Sequence, residues 1–361
     1  MKTEVLQKPT QKIRTVYLDY LKVLATFAVV IVHATSGSWS LVEPYSSDFV
    51  TLKFYNNLFS WTVPIFVMIS GALFLNPNKP TSLSMMLKKY ILRLSTSYIF
   101  WSFLNALINA HTEDGIIDII IYTLKGHSIH WFIPMLVGLY LITPMLKAIT
   151  ASKKRTIYFL VLFILFAIAI PQILNIASIS LQGTGFSSIV DSIKSTFDNT
   201  NFHFTLGYSG YYVLGYFLHT FEIRKPLKNF LFISGFTSFA VAIFLAFVNI
   251  KDSSLHDVLH HNFAIRVFCE STFVFIFIKQ LNKKIFLRSS LDKFITWIAK
   301  NSFGIYLSHI IVLRLLKNIG LSVITFNPIF AVPLISLCAF SICFITSVLL
   351  RKIPKIGKYI V

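Results

Sequence analysis

The chain has 361 residues and a mass of 41.2 kDa; it is 55% hydrophobic, only 13% charged, and has a mean hydropathy of +0.71. That composition excludes a soluble globular domain and places the chain in a lipid bilayer. Lys and Arg (33) outnumber Asp and Glu (14) for a net charge of +19, but the cations are scattered between apolar runs, which excludes nucleic acid as a partner. Three cysteines, Cys269, Cys338 and Cys343, fall inside apolar runs and offer neither a disulfide framework nor a metal-type spacing.

A bilayer core about 30 Å thick takes roughly 20 apolar residues per helix. Ten runs of about that length follow one another: Tyr17 to Thr35, Phe54 to Leu75, Tyr90 to Ala110, Trp131 to Ile149, Thr156 to Ala177, Phe204 to Phe221, Asn229 to Ile250, Phe263 to Leu281, Phe294 to Leu316 and Pro328 to Leu350. The sixth, rich in glycine and tyrosine, is the weakest. The apolar stretch Ile116 to Leu124 is too short to cross and carries Asp118, so it reads as an interfacial or re-entrant piece; an eleventh crossing is the alternative. The first run follows a basic leader but contains Asp19, Lys22 and His33, which a signal peptide would not, so it is read as retained. The expected fold is an all-α membrane protein, a polytopic bundle of about ten transmembrane helices. It forms one domain over 1–361, with a cytoplasmic leader (1–16), a helical bundle (17–350) and a cytoplasmic tail (351–361).

Positive charge supports this division, because Lys and Arg gather in cytoplasmic loops. With the N-terminus inside, the inside segments hold 23 cations, each of the five outside loops holds one (Lys53, Lys125, Lys194, Lys251, Lys317), and five sit within helices. Both termini are therefore predicted to be cytoplasmic. Nine of the fourteen acidic residues, Glu43, Asp48, Glu113, Asp114, Asp191 and Asp257 among them, fall in the outside loops.

Ionisable groups at bilayer depth cost several kcal/mol and mark functional sites when a partner can be named. In the first run, Lys22 and His33 lie eleven residues apart, three turns and about 20° around a helix, and Asp19 falls on the same stripe. An interfacial ion pair explains Asp19 and Lys22 equally well. For His33, a hydrogen-bonded interhelical histidine competes with a general base working near neutral pH. Arg266 and Glu270, four residues apart, read most simply as a self-compensating pair. Ser302, Tyr306 and His309 recur at i, i+4 and i+7 on one polar face, a packing seam or a site. The stretch Trp61 to Gly71 combines Pro64, Ser70 and Gly71, which permit a kink and a close approach. His130 and Trp131 open the fourth run; an interfacial belt accounts for the tryptophan and not for the histidine. The loop Leu255 to His261 has three histidines and an aspartate but reads as solvated, and no metal is expected. The basic group Lys88, Lys89 and Arg93 serves as a topology signal or as a seat for a phosphate-bearing ligand.

These residues resemble the acyltransferase-3 family of integral membrane O-acyltransferases that modify bacterial surface glycans. The resemblance covers nearly the whole chain. It rests on Asp19, Lys22 and His33 in the frame of an arginine-to-histidine signature, the Pro64 to Gly71 stretch with Ser70, Lys88-Lys89-x-x-x-Arg93, Trp131-Phe132 through Tyr140 to Pro144, and Ser302-Phe303-Gly304-Ile305-Tyr306-Leu307-x-His309. Lys22 replaces the family arginine, which keeps the charge and loses the planar fork. The resemblance implies transfer of an acyl group, most often acetyl and alternatively succinyl, from cytosolic acyl-CoA as co-substrate to a hydroxyl of a cell-surface or lipid-linked glycan. It implies no permanently bound cofactor, a bacterial plasma membrane, and partner proteins of a polysaccharide pathway. His33 is then general base or transient acyl carrier, Lys22 a stabiliser of charge on CoA or on the oxyanion, and Asp19 its orienter. Lys88, Lys89 and Arg93 take the CoA phosphates, with Ser70, His130, Trp131, Arg266, Glu270, Ser302, Tyr306 and His309 as substrate-binding or supporting residues. The competing class is a polysaccharide exporter or other multi-helix transporter; the absence of an internal repeat argues against it.

Overall fold

The computed structural model describes residues 15–79, 82–109, 115–248, 258–284 and 290–361. The leader up to Arg14, the acidic pair Glu113 and Asp114, Lys251, and the Leu255 to Asp257 part of the histidine loop lie outside the described residues.

Among the described residues the chain is helical, without strands. In order the helices are α1 (Val16–Ser36), α2 (Ser47–Leu58), α3 (Thr62–Phe74), α4 (Leu83–Met85), α5 (Leu92–Asn109), α6 (Ile116–Lys125), α7 (Phe132–Thr150), α8 (Lys153–Phe163), α9 (Ile170–Ser180), α10 (Ser187–Asp198), α11 (Phe202–Thr220), α12 (Lys225–Phe247), α13 (Ile265–Lys284), α14 (Ser290–Asn318), α15 (Pro328–Arg351) and α16 (Gly357–Ile360). Six-residue π turns, Met86–Ile91 and Ile164–Ala169, join α4 to α5 and α8 to α9.

A helix stands over each of the ten predicted runs. Among the described residues seven stretches are long and apolar enough to cross a membrane: Val16–Leu41, Ser47–Phe74, Leu83–Asn109, Ser128–Thr150, Lys153–Ser180, Lys225–Phe247 and Pro328–Arg351. The other three helices, α11, α13 and α14, fall short on apolarity because they carry the polar groups the bundle buries, including Ser209, Arg266, Glu270, Asn301 and His309. Helix α6 is ten residues long, about 15 Å, too short to cross, and leaves Ile116, Ile117 and Leu124 more than 70% exposed, as suits an interfacial helix. On α12 and α15 large apolar side chains such as Phe236 and Leu334 face outward, the inverse of a soluble surface.

Helix α1 runs through the middle and packs on α2, α3, α13, α14 and α15. The second predicted run is two helices. Pro64 falls in the first turn of α3, where its missing N–H costs nothing, so the break comes ahead of it at Phe59–Trp61. Carbonyls freed there are taken up internally, Leu58 by the Trp61 indole (2.8 Å) and Asn57 by Ser60 and Arg266. Helices α3 and α11 cross at backbone contact, with Gly71 against the Tyr212 carbonyl and Gly215 against the Met68 carbonyl. The predicted tail does not hang free. After α15 the chain turns back so that α16 packs on α5, Trp101 donates to the Ile360 carbonyl (2.8 Å), and Ile360 and Val361 are buried.

Candidate active site

A cavity of about 240 Å³ opens between α1, α3, α5, α7 and α14. Three cations from three helices reach its wall: Lys22 of α1, Arg93 of α5 and Lys300 of α14. Ser70, Ser302 and Tyr306 join them. The π turn just before α5 takes one more residue than an α turn and resets the helix phase, so that Tyr90 and Arg93 both line the cavity while Lys88 and Lys89 stay exposed. Phe74, Tyr90 and Tyr140 form an edge-to-face trio along one side, with centroids 4.8 to 6.3 Å apart. Arg93 is fixed from two directions. Its Nη2 donates to the Val361 carbonyl (2.7 Å), and its guanidinium lies 5.2 Å from the centroid of Phe303. Neither Ser70 nor Ser302 is pulled away, since each donates to a carbonyl of its own helix.

Beyond Tyr306 stands a group of histidines. The His33 and His309 rings face each other with centroids 5.2 Å apart, and the Tyr306 ring lies 5.7 Å from His309. His309 Nδ1 is 2.5 Å from the Tyr306 carbonyl. A carbonyl accepts only, so Nδ1 carries the proton and Nε2 is left as an acceptor; that Nε2 is buried without a hydrogen-bond partner among the described residues. His127 and His130 lie near enough to act electrostatically on both rings. His127, in the turn ahead of α7, is held below its ordinary imidazole value by burial and by the Arg314 guanidinium, so it is neutral at pH 7. Tyr306 donates to the Ile129 carbonyl (2.9 Å), tying α14 to the His127–His130 turn. Asn56 of α2 braces α1 around His33, donating to the Val32 carbonyl (3.2 Å) and to Thr35 (3.4 Å).

The structure thus brings Lys22, Ser70, Arg93, Ser302 and Tyr306 to one cavity and pairs His33 with His309 at its far end. Other expected residues lie elsewhere. Asp19 is buried outside the cavity lining and accepts from Thr296 (3.0 Å). Lys89 lies over the Tyr90 ring at 5.4 Å, outside the lining. Trp131 is 41% exposed and packs beside Tyr208, while His130 is fully buried behind it. Arg266 and Glu270 form a buried ion pair at 2.6 Å away from the cavity; Arg266 also donates to Ser60 (3.0 Å) and the Asn57 carbonyl (3.2 Å), and Ser60 donates to Glu270 (3.3 Å). This pair holds α13 to the α2–α3 break. Glu270→Leu, which strands the guanidinium, is expected to cost about 3–5 kcal/mol, whereas Arg266→Met with Glu270→Leu costs far less. Thermal unfolding in detergent checks it; equal losses would show that the charges matter singly.

Three polar lining residues stand outside the predicted set, Tyr90, Tyr140 and Lys300. Lys300 lies three residues before Phe303 and six before Tyr306, on the cavity side of α14, and its position at the start of that polar stripe is the signal that marks it.

The chain matches the acyltransferase domain family over residues 15–348. No curated protein and no solved structure matches it.

Proposed function

The chain belongs to the acyltransferase-3 family, and from that premise we propose that it moves an acyl group, most often acetyl, from cytosolic acyl-CoA to a hydroxyl of a cell-surface or lipid-linked glycan in a bacterial plasma membrane. The observation that carries this reading is the convergence of Lys22, Arg93 and Lys300 on one cavity whose far wall, Tyr306, touches His309 and through it His33. Three cations in a cavity walled by aromatic and apolar side chains with a few hydroxyls suit a phosphate-bearing donor. Along α1, Lys22 and His33 are separated by eleven residues, about 16 Å. One small reacting centre does not reach both, so Lys22 is assigned to the charged part of CoA and the histidine pair to the thioester. His33, ring to ring with His309, presents an unprotonated nitrogen to the acceptor hydroxyl, while His309 keeps its Nδ1 proton on the Tyr306 carbonyl. His33 takes that proton as the oxygen attacks the thioester carbonyl; the C–O bond forms, the C–S bond breaks, and the CoA thiolate leaves with the proton from His33. Lys88 and Lys89, outside the cavity, serve the approach of the anionic donor and anionic lipid headgroups.

Membranes carrying the protein, given radiolabelled acetyl-CoA, are expected to label envelope glycan; absence of label with both acetyl-CoA and succinyl-CoA would overturn the reading. Lys22→Gln and Lys300→Gln are each expected to raise KM for the donor roughly tenfold, the loss of one hydrogen bond to a charged group, with kcat changed far less. A drop confined to kcat would move these lysines to the reacting centre.

A further inference from the structure

A second cleft, of about 330 Å³, opens between α9, α10, the start of α11 and residues 258–264. Its size is at the lower end of ligand clefts, about 300–1,000 Å³. Phe166, Phe197 and Phe202 form one side, with Phe166 stacked on Phe197 (interplanar angle 5°) and 4.6 Å from Phe202; all three are only partly buried. Gln172, Asn175, Asp198 and His261 supply the polar edge; His261 accepts from the Phe263 N–H on Nδ1 (3.2 Å), which puts its ring proton on Nε2. The Gln172 carbonyl accepts from the Ile265 N–H, which fixes the amide and leaves its NH₂ end to donate. Among the described residues no Lys or Arg lines this cleft, in contrast to the three that line the cavity. Phe166 and Ala167 belong to the π turn Ile164–Ala169, an irregularity that recurs at functional sites.

These features select a ligand class. Aromatic faces carry negative charge density and receive C–H groups; a carboxylate and two carboxamides accept from and donate to hydroxyls. A phosphate or nucleotide would find no Lys or Arg among the described residues of the cleft and would face the Asp198 carboxylate, and an acyl chain would have no use for a carboxylate and two amides. An uncharged ring with an apolar face and hydroxyls around its edge, a saccharide, fits both. The cleft is also joined to the histidine pair. Phe263 on its wall lies 4.8 Å from Tyr208, Tyr208 lies 5.7 Å from the exposed Trp131, Trp131 contacts Phe132 (6.3 Å), and Phe132 lies 5.8 Å from Tyr306.

We propose that this cleft is a saccharide-binding subsite for the acceptor, with Tyr208 and Trp131 carrying the chain from it toward His33 and His309. The proposal rests on the acyltransferase reading for the word acceptor; the cleft itself can be tested apart from transfer. The full-length protein in lipid nanodiscs is probed by saturation-transfer difference NMR with cellohexaose, chitohexaose and maltohexaose. At least one is expected to take up saturation at ring C–H protons. Phe197→Ala and Asp198→Asn, changes at the cleft surface, are each expected to weaken that binding roughly tenfold, and saturating CoA is expected to leave it unchanged. No transfer to any of the three probes, a signal that survives both substitutions, or displacement by CoA overturns the proposal. A protein that binds the sugar at this cleft yet transfers no acyl group keeps the cleft and loses the acyltransferase reading. Transfer to envelope glycan with an acceptor KM unchanged in both variants does the reverse.

Discussion

Replacing His33 by Ala is expected to abolish labelling of envelope glycan from acetyl-CoA, lowering kcat by about 10²–10⁴, the contribution of a positioned general base. The donor should still bind. Lys22 lies about 16 Å along α1 from His33, and none of the three cavity cations touches the imidazole pair, so KM for acetyl-CoA stays near wild type. His309 acts through His33: its Nδ1 is anchored on the Tyr306 carbonyl and its ring lies 5.2 Å from that of His33. His309→Ala should therefore slow transfer as well, and His309→Gln, which retains a hydrogen-bonding amide, should lose less. Equal labelling by wild type and His33→Ala, with expression matched, would remove the chemistry from α1. A large rise in donor KM in His33→Ala would mean instead that the histidine grips CoA.

The largest stability effects are expected at two glycines. A methyl group on Gly71 would overlap the Tyr212 carbonyl, and one on Gly215 would overlap Met68 backbone atoms. In each direction the obstacle is backbone rather than a side chain that can swing away. Alanine gains about 1 kcal/mol of helix propensity over glycine, but forcing the α3–α11 crossing apart costs upwards of 3 kcal/mol, beyond ordinary overpacking. Gly71→Ala and Gly215→Ala should therefore lose folded, monodisperse protein in detergent. Gly138→Ala is the matched control. Nothing lies within 4 Å of a Cβ there, and the substitution is expected to raise the unfolding temperature slightly. Wild-type stability in Gly71→Ala would show that the helices can separate at no cost.

Much of this was legible in the sequence because a bilayer leaves few options: spans must be helical, and charges inside them must have partners. A helix stands over each of the ten runs, and Lys22, Ser70, Arg93, Ser302 and Tyr306 line one cavity, while Asp19 and His33 of the Lys22 stripe lie outside its lining. Periodicity gives the face of a helix and not its neighbour, which is why the pairing of His33 with His309, 276 residues away in the chain, was not readable, nor the placing of Arg266 and Glu270 outside the cavity. Lys88 and Lys89 were grouped with Arg93 by spacing, yet the π turn rotates Arg93 inward and leaves them outside. Pro64 suggested a kink; the helix instead stops ahead of it. Lys300 carries a signal, its place at the head of the Ser302–Tyr306–His309 stripe, but the same place reads equally as the solvated end of a helix.

The shortfall in apolarity of α13 has a consequence for how the chain is made. An arginine and an acidic residue each oppose insertion by the translocon, by roughly 2.5–3.5 kcal/mol at a helix centre and by less toward an end such as the first two turns of α13, where Arg266 and Glu270 stand, so α13 alone is a poor candidate to leave the channel for lipid. Its remedies are the Glu270–Arg266 pair and the Asn57 and Ser60 acceptors, which sit 209 and 206 residues earlier in the chain. α14 leans in the same way on α1, and α11 on α3. Each reluctant segment thus emerges from the ribosome after the stretch that receives it. Biogenesis can run in a single pass: each polar helix of the site partitions onto a protein surface already in place rather than into hydrocarbon alone, and the apolar α15 closes over α14 afterwards.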